Sequence, residues 1–357
     1  MNLVKKIVGI VIGTSLLLPA AISLADDHKW EGKTPKYTEA KVTTVAGGST
    51  LLFSDSPEMV KECGVLYRDT VEGKVRLFFH HVNNTRATQK LAIVLQNKYP
   101  LHPAIVTVGR QGVSRPNSGW LKAGKEAQLK YFEEAKPRTF KLRGKKELLT
   151  GVNGLNFEPM DLISGIVDFD FTNPVIVSVM MLPENTDFYD AVDVYPVLPP
   201  DPGENALRGT FPTDRLNITM QGEFNTSGKD IWGVKLADND SYIHGIDATT
   251  GKKVVNFGNY GVIYDFSFKT KGRKAAQVRF NAYGGSYGGA CYFDNGDKNS
   301  FIHLPRHVTG FGKSDHNATV ILGNIQGGKD GKVVFSPPGS SNLPIRIFFE
   351  PVPKKIE

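Results

Sequence analysis

Alternating hydrophobic and polar residues give the clearest pattern in the second half of the chain. From Val262 to Lys269 the apolar side chains recur at every second position, and a period of two is typical of a β-strand with one buried face. The same period recurs in 277–282 and 343–350. Asn295-Gly296 and Asp330-Gly331 separate candidate strands, and these dipeptides favour tight hairpin turns. Strands with one polar face are typical of antiparallel sheets, so the pattern predicts a β-sandwich.

The first half also contains runs that are typical of strands. Lys74–Val82 (KVRLFFHHV) and Lys90–Gln96 (KLAIVLQ) flank the polar residues 83–86. We expect these two strands to pair as a hairpin, with 83–86 as its loop. Val175–Leu182 (VIVSVMML) is apolar apart from one serine. So continuous a run is typical of a central strand that is covered on both faces.

One segment of the first half, Ser118–Ala135, has a helical composition. Its apolar residues recur at helical spacing, and Glu126 stands four positions before Lys130, where opposite charges attract on one helix face. Gly119 and Gly124 oppose this interpretation, because glycine lowers helix propensity. We expect one helix that packs across or beside a sheet.

A Pro-rich stretch, 195–204, marks the clearest boundary in the chain. It contains four prolines and one glycine, a composition that favours extended, semi-rigid linkers. A length of 357 residues fits two domains. We expect a signal peptide at 1–25, a β-rich domain with one helix at 26–194, the linker, and a β-sandwich domain at 205–357. The fold class is then mostly β, with two β-sandwich-like domains.

The first 25 residues have the three-part pattern of a secretory signal peptide. Lys5 and Lys6 precede an apolar stretch from Ile7 to Leu18, and the small residues Ser23 and Ala25 fit a cleavage site after Ala25. An uncleaved membrane anchor is the alternative, but the apolar stretch is short for a span of about 20 residues. We expect a secreted or cell-envelope protein with no transmembrane segment in the mature chain.

The chain has two cysteines, Cys63 and Cys291, which are far apart in sequence. Exported proteins meet oxidising conditions, which favour a disulfide between them. The alternative is a pair of buried thiols that pack like small hydrophobic residues. We favour the thiols, because the sequence sets no distance between the two residues.

Gly284–Gly288 matches the Gly-x-Ser-x-Gly pattern of a nucleophile elbow, with Ser286 in the place of the nucleophile. That elbow requires a strand before the serine and a helix after it, whereas 289–296 has the composition of another strand and turn. We therefore interpret the motif as a loop between two strands and assign no catalytic residue.

Histidine and aspartate residues between 303 and 316 carry metal-ligand atoms. Their spacing is irregular, and Pro305 disfavours a helix that presents two histidines on one face. His80 and His81 are adjacent in a predicted strand, so their rings point to opposite faces. We expect no metal site and no cofactor.

Two surface features are candidates for polymer binding. Lys+Arg total 43 against 36 Asp+Glu, and basic residues concentrate in one run: Lys136, Arg138, Lys141, Arg143, Lys145 and Lys146. In an exported protein such a run favours an anionic envelope polymer over nucleic acid, and the alternative is a solvated strand edge. Three tyrosines surround the Gly-rich loop and suit either a carbohydrate platform or the sandwich core: Tyr283, Tyr287 and Tyr292.

Two segments, GKVRLFFHHVNNT (73–85) and FSPPGSSNLPIRIFF (335–349), resemble parts of uncharacterised exported bacterial proteins with β-rich envelope architecture. The resemblance covers only these short patches, and it implies export and β structure but no activity. We expect a non-enzymatic, envelope-associated protein with a binding or surface-structural role toward anionic or carbohydrate polymers. A secreted hydrolase of envelope polymers, using Ser286 or a histidine-based site, is the alternative.

Overall fold

The structure, a computed structural model, describes residues 27–29, 34–133, 135–144, 147–148, 155–238, 242–313 and 315–352. The predicted signal peptide, 1–25, lies outside these residues. Within them the chain is mostly β, as the alternation predicts. Of the helices in this described part, none is long and apolar enough to cross a membrane.

The strands of the first half are β1 (Asp27–Lys29), β2 (Thr38–Glu39), β3 (Val42–Gly47), β4 (Thr50–Ser54), β5 (Met59–Val60), β6 (Gly64–Asn83), β7 (Gln89–Asn97), β8 (Ala104–Val113), β9 (Arg138–Leu142), β10 (Glu147–Leu148), β11 (Leu155–Phe157) and β12 (Leu162–Pro183). The helices are α1 (Trp120–Phe132) and α2 (Phe188–Val194), and a short 3-10 helix covers Gly203–Asn205. The strands of the second half are β13 (Arg208–Phe211), β14 (Arg215–Asn225), β15 (Trp232–Leu236), β16 (His244–Asp247), β17 (Lys252–Val255), β18 (Ile263–Lys271), β19 (Ala275–Asn281), β20 (Gly289–Asp294), β21 (Asn299–Leu304), β22 (Ala318–Gln326), β23 (Asp330–Phe335) and β24 (Ile345–Pro351).

A long two-stranded ribbon forms the frame of the first half. β6 and β12 pair antiparallel over most of their length, and a bulge at 172–174 interrupts the register. Residues from both sides of this bulge line one core, so the ribbon folds over on itself. β7 and β8 pair with the other edge of β12. The expected hairpin between Lys74–Val82 and Lys90–Gln96 is therefore wrong, because β12 lies between them. Alternation identifies a strand but carries no information on its partner.

β12 is the central strand of this sheet. Its residues Val175–Leu182 pair with β6 on one side and β7 on the other. One face joins the core of the ribbon, and on the other face Met180 and Leu182 pack with Ala191 and Val192 of α2. The prediction of a central strand covered on both faces is confirmed. The short helix that covers it has no counterpart among the predicted elements.

α1 confirms the helix expected within Ser118–Ala135. It packs on β8 and β12 of the first half and on β20 of the second half. Gly119 is its N-cap residue, and a Cβ added to Gly124 would lie 1.9 Å from the carbonyl oxygen of Gly339. The glycine that lowers helix propensity is thus the residue that lets α1 approach the second half.

The second half forms the predicted β-sandwich. One sheet has the strand order β1-β22-β19-β24-β15-β2, and the other has the order β21-β20-β23-β18-β14-β3. The alternating residues of β18, β19 and β24 point into the core between these sheets, where Tyr264, Phe266, Phe280 and Ile347 are fully buried.

One of the two predicted turns is confirmed. Asn295-Gly296 lies in the loop that joins the antiparallel strands β20 and β21. Asp330-Gly331 instead begins β23, and the turn lies at 327–329. A Cβ added to Gly331 would lie 2.4 Å from the ring of Phe268. This glycine makes room for an aromatic ring, and the turn prediction at 330–331 is wrong.

The two halves exchange strands across the Pro-rich stretch. β2 and β3 pair with β15 and β14 of the second half, and β13 pairs with β4 of the first half. The stretch itself is docked on β6: Val65 N donates to the Pro196 carbonyl and Leu198 N donates to the Val65 carbonyl, both at 2.8 Å. Division at 195–204 into separate domains stays a prediction.

A buried ion-pair network joins the same halves. Arg76 of β6 donates to Asp168 of β12 at 2.7 Å and to the carbonyl oxygen of Asp214, just before β14, at 2.9 Å. The Tyr131 hydroxyl of α1 donates to the same Asp168 carboxylate at 2.7 Å. Each charge of this network therefore has a partner on another element.

Two buried histidines lie side by side in β6 and point to opposite faces, as expected. His80 Nε2 lies 3.1 Å from Ser340 Oγ, and His81 lies 2.9 Å from both Ser54 Oγ and the Pro57 carbonyl oxygen. Burial, with a contribution from His81, lowers the pKa of His80 to about 3. Burial lowers the pKa of His81 to about 4, despite the hydrogen bond to Pro57. Both rings are neutral at physiological pH.

We predict that these histidines make the protein less stable in acid. Unfolded histidines bind protons below about pH 6.5, whereas His80 and His81 bind them only near pH 3 and 4 in the fold. The free energy of unfolding therefore decreases as the pH is lowered from about 6.5 toward the folded-state pKa values, by up to about 1.4 kcal/mol per pH unit for each histidine. Urea unfolding at pH 7 and pH 5 measures the loss, and H80Q should lose less than the unmodified protein. Equal losses would contradict the interpretation.

Candidate functional site

The buried guanidinium of Arg208 in β13 holds the hairpin β16–β17 in place. Arg208 Nε donates to the Asp247 carboxylate at 3.0 Å, and its terminal nitrogens donate to Thr249 Oγ1 at 2.8 Å and to the Leu198 carbonyl at 2.7 Å. Burial acts to raise the pKa of Asp247, but hydrogen bonds from Thr249 and the charge of Arg208 outweigh it and hold the pKa below its usual value. Asp247 is therefore the ionised partner of a buried cation.

An open groove lies on one side of this hairpin and has a volume of about 770 Å³. This volume is within the range of roughly 300–1,000 Å³ that is typical of small-molecule sites. Residues from β4, β6, β13, β16 and β17 line it. Its apolar lining consists of Phe211, Pro212, Ile246 and Ala248.

A short chain of hydroxyls leads to one carboxylate in the groove. Tyr67 Oη lies 2.8 Å from Thr210 Oγ1, and Thr210 Oγ1 donates to Asp69 Oδ2 at 2.5 Å. Thr210 Oγ1 has one hydrogen and donates it to Asp69, so the Tyr67 hydroxyl is the donor in its bond to Thr210. Burial is the main cause that raises the pKa of Tyr67. Asp69 and Thr210 both line the groove. They place a negative charge and a hydroxyl beside an apolar wall.

Gly245 sets the distance between β16 and β13. A Cβ at this position would lie 2.5 Å from the Thr210 carbonyl oxygen and 2.6 Å from the Phe211 ring. Any larger residue would push the hairpin away and change the width of the groove.

A second cavity, of about 620 Å³, lies beside the Pro-rich stretch and is lined by residues of 200–206 and of the hairpin. Asp201 lines this cavity. Its carboxylate accepts hydrogen bonds from Glu58 N at 2.8 Å and Ser56 Oγ at 3.3 Å. Asp201 therefore joins the cavity to the turn after β4.

Two further carboxyl groups lie in that turn. Burial raises the pKa of Asp55 well above its usual value, and the charges of Glu58 and Asp201 act in the same direction. The pKa of Glu58 is raised by burial and then by Asp201. Asp55 Oδ1 is buried and has no hydrogen-bond partner. The arrangement favours a protonated Asp55 next to an ionised carboxylate.

The predicted basic run falls on and around β9, which pairs with β8 at the edge of the sheet. Lys136, Lys141 and Arg143 are exposed and Arg138 is half-buried. Lys145 and Lys146 lie outside the described residues. The run is remote in sequence from the residues that line either cavity.

The three predicted tyrosines do not form one surface. Tyr287 is fully buried in the sandwich core. Tyr292 donates its hydroxyl to the Phe132 carbonyl at 2.5 Å and packs on the Phe132 ring, whereas Tyr283 is half-exposed. Tyr287 has the core role that was the alternative interpretation, because its ring fills space between the sheets beside Phe280.

Ser286 lies in the loop between β19 and β20. β20 begins at Gly289 after Ser286, with no helix between them. In the part of the chain that the structure describes, no hydrogen bond joins the Ser286 side chain to a histidine.

Cys63 and Cys291 are free thiols. Cys63 Sγ lies 3.2 Å from Gln89 Oε1, and Cys291 is buried in the sandwich core, so no disulfide joins them.

The sequence patterns missed every residue that lines the groove. Asp69 and Thr210 are separated by 141 positions, and no spacing rule relates them. For the turn next to the second cavity, the acidic residues of Asp55-Ser56-Pro57-Glu58 were a usable signal, because only Ser54 separates them from the fully apolar Leu51–Phe53. Carboxylates that are buried with such a strand are costly unless they are paired or lose their charge.

No protein-family model matches this chain, and no curated protein matches it. Among solved structures it is similar to PNGF-II, with 12% identity and a TM-score of 0.15, over 87% of this chain and 65% of that chain. It is also similar to vicilin from tomato (Solanum lycopersicum), with 11% identity and a TM-score of 0.16, over 85% of each chain. The 7S globulin of Momordica charantia matches with 10% identity and a TM-score of 0.14, over 80% of this chain and 79% of that chain. Likenesses this low carry no argument about fold or function.

We predict a large loss of stability for D247N. This change leaves the buried guanidinium of Arg208 without its counter-charge, which costs about 3–5 kcal/mol of unfolding free energy. The matched control is D297N, which breaks an exposed ion pair with Lys329 (2.9 Å) and should cost at most about 1 kcal/mol. Urea unfolding at pH 7 compares the two. Similar small losses in both variants would contradict the anchoring role of Arg208.

Proposed function

We propose that this chain is an exported, non-enzymatic cell-envelope protein that binds a carbohydrate polymer in the 770 Å³ groove. The observation that carries the proposal is the pairing of an apolar wall with the Asp69–Thr210 hydroxyl–carboxylate pair in one open groove. An open groove, unlike a closed cavity, admits a segment of a long polymer.

Sugars match this lining chemically. A pyranose ring has an apolar face of C–H groups that packs on side chains such as Pro212 and Ile246, and hydroxyl groups along its rim. Asp69 accepts hydrogen bonds from such hydroxyls, and bonds to a charged acceptor are shorter and stronger than neutral ones. Asp69 accepts one bond from Thr210 Oγ1 and one from Thr70 N, and a carboxylate with about four lone-pair sites keeps capacity for a ligand.

The signal-peptide pattern of 1–25 supports the location. β1 begins at Asp27, two residues after the proposed cleavage site at Ala25, and it pairs with β22 of the sandwich.

We predict that D69N and I246E each weaken binding of soluble oligomers of N-acetylglucosamine or glucose. Loss of a charged acceptor, or of the apolar wall, should raise Kd about tenfold, equivalent to ~1.4 kcal/mol. Isothermal titration calorimetry measures Kd.

The control is V45E. Val45 on β3 is 59% exposed and Ile246 is 53% exposed, so the two changes place the same charge on equally exposed strands. V45E should bind as the unmodified protein does. Unchanged binding in D69N and I246E, or equal weakening in V45E, would contradict the groove as the site.

A further inference from the structure

An arginine lies stacked between two tyrosines on the outer face of the sandwich. The guanidinium carbon of Arg346 in β24 is 3.4 Å from the centroid of the Tyr283 ring and 5.4 Å from that of Tyr37. Each of the three side chains is half-buried. The stack joins the N-terminal segment, the loop after β19 and the last strand, so it exists only in the folded chain.

Two basic side chains are neighbours on this face. Lys235 of β15 is the direct cross-strand partner of Arg346, and like charges directly opposite are destabilising. The hydrogen bond that Lys235 donates to Asp238 raises the pKa of Lys235, whereas the charge of Arg346 acts to lower it. Asp238 forms an ion pair with Lys235 at 2.7 Å, and Glu39 also acts on Lys235. Asp238 and Glu39 therefore compensate the charge of Lys235.

Arg346 has no such partner among the described residues. Its described contacts are the two tyrosine rings, and its Nε is buried without a hydrogen-bond partner. A guanidinium is always charged, and its planar fork matches a carboxylate through two parallel bonds. Rings stacked on the guanidinium fix its plane and reduce the entropy lost when a ligand binds.

An exposed histidine borders the stack. His316 Nδ1 lies 2.5 Å from the Tyr283 carbonyl oxygen. A carbonyl oxygen only accepts hydrogen bonds, so Nδ1 carries the proton and Nε2 of the neutral ring is an acceptor. His316 and Arg346 therefore both contact Tyr283, the first with an acceptor suited to a hydroxyl and the second with a cation suited to a carboxylate.

We propose that Tyr37, Arg346, Tyr283 and His316 form a second binding site, specific for a carboxylate-bearing sugar of an acidic polysaccharide. The sugar carboxylate pairs with the Arg346 fork, Lys235 compensates the neighbouring charges of Asp238 and Glu39, and a ring hydroxyl donates to His316. This site is separate from the groove that contains Asp69 and does not depend on the function proposed for it.

The test is binding of oligogalacturonate to the full-length mature protein at low and at physiological salt. The unmodified protein should bind this probe and not a neutral galactose oligomer, and salt should weaken the binding. R346Q should raise Kd at least about tenfold, and R346K should also weaken binding, because lysine keeps the charge and loses the fork. K235Q should raise Kd by a smaller factor. If the melting temperature shows that R346Q is unfolded, K235Q provides the test instead.

Two controls isolate the site. K141Q/R143Q removes two positive charges from the basic run and should leave binding unchanged, and V45E on β3, in the other sheet of the sandwich, should do the same. Binding of oligogalacturonate that is equal in R346Q and in the unmodified protein would overturn the proposal. So would a loss confined to K141Q/R143Q, a preference for inorganic polyphosphate over the uronate probe, or the absence of any binding.

Discussion

The buried guanidinium of Arg208 is bonded to parts of the chain that are far apart in sequence. Its nitrogens donate to the Leu66 carbonyl in β6, the Leu198 carbonyl in the Pro-rich stretch and the Asp247 carboxylate in β16. An interior charge is tolerated only when it is paired and hydrogen-bonded, so these segments must converge on one point. Both cavities lie along the hairpin that Arg208 holds, and their walls are the segments bonded to it. Their shape follows from this one requirement.

The period-two alternation was sufficient to predict the class of fold and several strands, because β18 and β24 each bury every second side chain between two sheets. It could not predict partners, since β12 separates two strands that are adjacent in sequence. Two glycines indicated local structures other than those in which they lie. Gly124 weakens the helix pattern yet allows contact with Gly339, and Gly331 has the composition of a turn yet accommodates the Phe268 ring. Local propensity does not contain such tertiary contacts.

The candidate sites were much less predictable than the fold. The basic run was visible because its residues are clustered in sequence, and the structure places two of them, Arg138 and Lys141, on the edge strand β9. Arg208 carries no signal of burial, since it stands between Leu207 and Gly209 in an ordinary strand. One member of the stack on Arg346 was predicted, because Tyr283 belonged to the predicted aromatic group. Tyr37 and Arg346 could not be predicted, because only the pairing of β2, β15 and β24 brings them to Tyr283. A site assembled from several strands can be predicted only when the order of the strands in the sheet is known, and the sequence pattern does not contain that order.

The most direct test of this account is amide hydrogen exchange of the full-length mature protein with and without a soluble N-acetylglucosamine or glucose oligomer. A ligand in the groove that Arg208 shapes should slow exchange in β16 and at 210–211, which line it, and leave β9 unchanged. Protection confined to β9 or to other surfaces, under conditions where binding is saturated, would contradict the account.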